Sequence, residues 1–140
     1  MRGTIRDDAG MPIPTTTALY GALNAVFTIA LAARVTAYRV REKVSLGTGK
    51  SDPLLVAVRT HGNAAEHVPL AIVMMLVVEL CGAASTWLHV AGGAIFVARI
   101  AHAIGMPRPA PNPFRFLGTA ITWTTIVLLS GWALWLRRGE

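Results

Sequence analysis

Leu54–Leu80 reads LLVAVRTHGNAAEHVPLAIVMMLVVEL, twenty-seven residues that are apolar almost throughout yet hold Arg59, Asn63 and Glu66 in one interrupted row. A helix of about 20 apolar residues crosses the hydrocarbon core of a bilayer, so the stretch is long enough to span. A charged side chain at that depth costs about 2.5–3.5 kcal/mol on insertion scales and normally faces protein or a water-filled cavity. Successive helical residues turn by about 100°, which places Arg59, Asn63 and Glu66 within roughly 60° of one face. A cation, an amide and an anion on one face suit a small zwitterionic ligand. Arg59 alone would snorkel to the interface, and Asn63 alone would make an interhelical hydrogen bond. Glu66, about 10 Å further along the helix, has neither escape.

Working outward, three further apolar stretches of spanning length flank this one, and the expected spans are 15–40, 54–80, 86–104 and 114–136. Of the 140 residues, 54% are hydrophobic and 14% charged, against about 25% charged in soluble domains. Gly82 to Ser85 form a small-residue break. Pro107, Pro109, Pro111 and Pro113 forbid a continuous helix between the third and fourth spans. A membrane barrel would instead show alternating segments of about 10 residues. The fold class is therefore an all-α membrane protein, a bundle of four transmembrane helices.

The formal net charge is +6. The basic residues stand at the ends of apolar runs rather than on one solvated face, which argues against nucleic acid and for anionic lipid as a partner. Arg39, Arg41, Lys43 and Lys50 follow the first span, Arg108 and Arg115 flank the proline-rich connection, and the link between spans two and three is uncharged. By the positive-inside rule both termini lie outside the cytoplasm, against the opposing vote of Arg2, Arg6, Arg137 and Arg138. The segment from Met1 to Pro14 has no apolar run behind a basic start, so the first span reads as retained rather than cleaved. The string Gly47-Thr48-Gly49-Lys50-Ser51 lacks the spacing of a phosphate-binding loop. Cys81 reads as a small hydrophobe in a helix.

His67 lies one turn beyond Asn63. Arg99 and His102, three residues apart on span three, come level with Arg59 if the spans run antiparallel. Pro69 is expected to loosen the helix beside this cluster. Glu79 and His89, both near the external ends of their spans, are within reach of each other. The H-E-x-x-H spacing is missing and His61 and His67 fall on different faces, so no metal is expected. No serine or cysteine shares a face with a histidine base at this level.

The run Arg59-Thr60-His61-Gly62-Asn63-Ala64-Ala65-Glu66-His67-Val68-Pro69, with Val44-Ser45-Leu46-Gly47 before it, resembles the MAPEG family, membrane-associated proteins in eicosanoid and glutathione metabolism. The similarity continues through Arg99–Gly105 and Asn112–Gly118. It implies a homotrimer with glutathione held between protomers near the cytoplasmic face. By that resemblance Arg59, Asn63 and Glu66 grip the peptide and Arg39 adds a contact, with His67, Arg99 and His102 beside them. An arginine ionising the thiol is expected at Arg115 or Arg108. Arg115 is preferred because the start of a helix is better fixed than a loop. The chain departs from the family where relatives carry tyrosines, having His67 on span two and Ile100 and Ile104 on span three. The implied function is a membrane glutathione transferase or peroxidase acting on lipophilic electrophiles or lipid hydroperoxides, in a bacterial inner membrane. A non-catalytic lipid-binding scaffold of the same fold is the alternative, and a small transporter is third.

Overall fold

The computed structural model describes residues 13–139 and is all-helical there. Its helices are α1 (Thr15–Glu42), α2 (Asp52–Leu80), α3 (Ser85–Gly105) and α4 (Pro113–Leu136), followed by a 3-10 turn at Arg137–Gly139. All four α-helices are long and apolar enough to cross a membrane. They occupy the four apolar stretches and extend one or two residues past the expected ends.

Those extensions have local causes. Ser51 caps α2, its hydroxyl accepting from the Leu54 amide at 3.3 Å, and Pro53 fits the first turn, where its missing N–H costs nothing. Asn112 caps α4 in the same way, accepting from the Arg115 amide at 3.1 Å, with Pro113 behind it. At the end of α1, Lys43 turns left-handed at φ 54° and Val44 donates back to the Arg39 carbonyl. Gly82, at φ 83°, ends α2 in a conformation only glycine adopts without strain. Helix α2 runs unbroken through Pro69.

The N-terminus of α1 has no cap in its own sequence. Glu79 supplies one from the far end of α2: its carboxylate accepts from the Thr16 amide at 2.9 Å and the Thr17 amide at 2.7 Å. A carboxylate against the positive end of a helix satisfies orphan donors and the helix dipole together. Glu79 therefore does not pair with His89. That ring meets Tyr20 instead, with Nδ1 3.4 Å from the phenol oxygen and the two rings edge to face at 5.8 Å. Cys81 is likewise not a packed hydrophobe inside a helix, being exposed as the residue that ends α2.

Helix α3 packs chiefly on α4, and α1 on α2. One apolar cluster, including Met75, Val78, Leu88, Ile95 and Leu129, fills the end near the α2–α3 turn, and a smaller one gathers Leu31, Ala64 and Val68. Glycines set the close approaches. A methyl on Gly92 would overlap the Tyr20 ring, and one on Gly118 would sit 2.6 Å from the Ala98 carbonyl oxygen and 2.8 Å from the His102 amide. Hydroxyls within the spans turn back on their own helices. Thr60, Thr122, Thr125 and Ser130 each donate to the carbonyl four residues earlier at 2.6–2.8 Å. Hydrocarbon offers no other partner.

Candidate functional site

Helix α2 presents the polar row as its spacing dictates, with Arg59 and Glu66 exposed and Asn63 and His67 half-buried between neighbours. Glu66 lies about 20 Å along α2 from its start, near the middle of the helix. Arg59 and Glu66 form no ion pair with each other; Arg41–Glu42 is the ion pair found among the described residues. Both thus present unspent charge outward from the protomer, and for Glu66 this is at a depth where lipid would leave it unsolvated.

Behind this row stands Arg99, 2% exposed. Its Nη1 donates to Asn63 Oδ1 at 2.7 Å, and its Nη2 donates to the Gly118 carbonyl at 2.8 Å and to Thr122 Oγ1 at 2.7 Å. A guanidinium has no acceptor, so the Asn63 oxygen must face it and the Nδ2 amide hydrogens must face away. Among the described residues that Nδ2 has no partner. Arg99 acts on the row by orienting Asn63. Its Nε is buried without a partner among the described residues, and the side chain is closed off from solvent within the protomer. His102, 5% exposed, is buried against Gly118 and also lies outside the accessible row.

His67 Nδ1 meets the Asn63 carbonyl at 2.9 Å, and its ring stacks on Trp123 of α4 at 6.1 Å. Trp123 in turn lines a cavity of about 580 Å³ with Arg115, Phe116, Thr119 and Asn112. The row on α2 and the start of α4 are thereby joined through one aromatic contact. Arg115 is exposed, and its guanidinium makes no hydrogen bond among the described residues. Arg108 is engaged: it donates to the Ile104 carbonyl, closing α3, and lies over the Phe114 ring at 5.2 Å. Arg39 is engaged too, its Nη1 donating to the carbonyls of Ser45 at 3.1 Å and Gly47 at 3.0 Å. That bond folds the α1–α2 loop back onto the helix.

Sequence reasoning missed Gly118, Thr122 and Trp123. The first two carry a faint signal, since small residues four apart in a span mark close helix contact. Trp123 carries none, because its meeting with His67 depends on how α2 and α4 are placed.

The MAPEG family model matches residues 17–135, spanning all but the ends of the four-helix unit. The chain belongs to the MAPEG family. Among its relatives, the inner membrane protein YecN of Escherichia coli is 33% identical over 118 residues, covering 84% of this chain and 89% of YecN. YecN from a second strain of that species matches equally. The matched region takes in the whole polar row, its Arg99 support and Arg115.

Proposed function

We propose that this MAPEG protein is a glutathione-dependent membrane enzyme, a transferase or peroxidase for lipophilic electrophiles or lipid hydroperoxides. The observation that carries the reading is the fixed Asn63 amide, its hydrogens turned outward between the unspent charges of Arg59 and Glu66. Glutathione presents carboxylates, peptide carbonyls, an ammonium and a thiol. Arg59 forks onto a carboxylate, Asn63 Nδ2 donates to a peptide carbonyl, and Glu66 accepts from the ammonium. Arg115, linked to the row through the cavity it lines with Trp123, holds the sulfur as thiolate, the nucleophilic form. The cavity between Arg115, Phe116 and Trp123 takes the electrophile from the bilayer. In conjugation the thiolate forms a carbon–sulfur bond as the leaving group departs with its electron pair.

An exposed carboxylate at mid-helix, Glu66, calls for a covering surface, and other copies of the chain supply it. A homotrimer with glutathione between protomers meets that need. Membership of the family, the inner-membrane name of YecN and the basic loops support an inner-membrane location with both termini periplasmic. One observation favours a lipid-binding protein without turnover: Ile100 and Ile104 stand in the part of α3 where family members with glutathione chemistry carry tyrosines.

The test is conjugation of a generic aryl halide by the detergent-purified protein, with thiolate absorbance followed on adding glutathione. A thiolate signal and product, both lost in Arg115→Ala, support the enzyme. Glutathione bound without thiolate or product supports the scaffold, and no binding of glutathione refutes the enzyme.

A further inference from the structure

Near the end of α1 a second polar cluster takes no part in the site described above. The Arg34 guanidinium carbon stands 5.6 Å from the centroid of the Tyr38 ring, and that of Arg41 stands 5.7 Å from the same ring. The three residues fall within roughly 60° of one face of α1. Arg34 and Tyr38 are half-buried and Arg41 is exposed. Eight residues separate Arg34 from the end of α1 at Glu42, about 12 Å of helix rise, so Arg34 starts inside the span and reaches toward the headgroup level.

Two cations gathered on one ring repel each other, and the local acid does not balance them. Glu42 is the sole carboxylate of α1, and it pairs with Arg41 at 3.4 Å. Arg34 has no acidic partner and no hydrogen bond among the described residues. Arg39 is turned the other way, onto the loop carbonyls. A guanidinium against an aromatic ring keeps its in-plane N–H donors for an anion, all of them on Arg34 and, on Arg41, those that Glu42 does not take. The Tyr38 hydroxyl, also without a partner among the described residues, adds a neutral donor between them. At the boundary of a bilayer the anion at hand is a lipid phosphodiester, and basic clusters at this level bind such headgroups.

We propose that Arg34, Tyr38 and Arg41 form a binding site for the phosphodiester headgroup of an anionic membrane lipid. The site is independent of the glutathione reading and survives if that reading fails. Its test uses the full-length protein in neutral detergent, offered equimolar phosphatidylglycerol and phosphatidylcholine, with bound lipid counted by native mass spectrometry. The wild type is expected to retain the anionic lipid about ten-fold over the zwitterionic one. Arg34→Gln and Arg41→Gln should each lower that preference about five-fold, the equivalent of about 1 kcal/mol per cation near the surface. Tyr38→Leu should lower it with no change of charge. Lys43→Gln with Lys50→Gln removes two cations from the same end without touching the ring and should change it less than two-fold. Equal loss in that lysine pair would overturn the proposal in favour of diffuse attraction.

Two competition arms use only the wild type and so do not depend on any variant folding. Millimolar inorganic phosphate that displaces the lipid would make this a soluble-anion site, and displacement by glutathione would assign the cluster to the peptide. Either result overturns the lipid assignment. Failure of both to compete supports it.

Discussion

Asn63 has two jobs at opposite ends of one amide. Its oxygen closes the Arg99 network at 2.7 Å, and its nitrogen, without a partner among the described residues, is the donor that the proposed function assigns to the ligand. Replacing the side chain by an acid separates the two roles. Asn63→Asp keeps the acceptor for Arg99 but removes the outward donor, so folding should hold while glutathione binding falls at least ten-fold. Asn63→Ala deprives a buried guanidinium of an acceptor and should cost about 1–3 kcal/mol in detergent unfolding as well. The two arginines on the accessible side should divide differently. Arg59→Ala should raise the glutathione Kd about ten-fold or more, the cost of one charge-assisted hydrogen bond, whereas Arg115→Ala should lower kcat with Kd nearly unchanged. Titration calorimetry and steady-state rates on both variants check this, and equal loss of affinity and rate in each would contradict the division. The row itself was legible from spacing alone, because helical periodicity fixes which residues share a face. The inward turn of Arg99 was not, since it follows from where α4 brings Gly118 and Thr122.

Between elements, the energetics rest on caps and close approaches. Glu79 holds the first turn of α1 from 62 residues away. Glu79→Ala should therefore cost about 1–2 kcal/mol, as loss of a charged cap does. Amide hydrogen exchange should accelerate at Thr16 and Thr17 rather than throughout α1. Unchanged protection there would remove Glu79 from this role. Along α4 two glycines make opposite cases. Gly118→Ala drives a methyl into the α3 backbone and should destabilise the bundle by about 1–3 kcal/mol. Gly131→Ala meets nothing within 4 Å and should be neutral or stabilising. The helices were readable because four apolar runs, cut by proline and glycine, admit few alternatives. The Glu79 cap escaped notice because a cap is sought beside its own helix, and here it comes from the end of the next one.

For the whole molecule, a lone protomer leaves Glu66 exposed near the middle of α2, where a charge facing hydrocarbon is costly, with Arg59 about 10 Å nearer the helix start. Under the proposed function, assembly and ligand binding share one surface, and the protein in mild detergent should have a mass of three chains. The Arg99–Asn63 support within each protomer prepares that surface before any partner arrives. The most direct measurement is a calorimetric titration of glutathione into the wild type and Asn63→Asp, beside their unfolding midpoints. Saturable binding by the wild type, weakened at least ten-fold in a variant that unfolds at the same midpoint, is the expected result. Equal affinity in the two proteins, or no binding by the wild type, would contradict the assignment of this face to a peptide thiol.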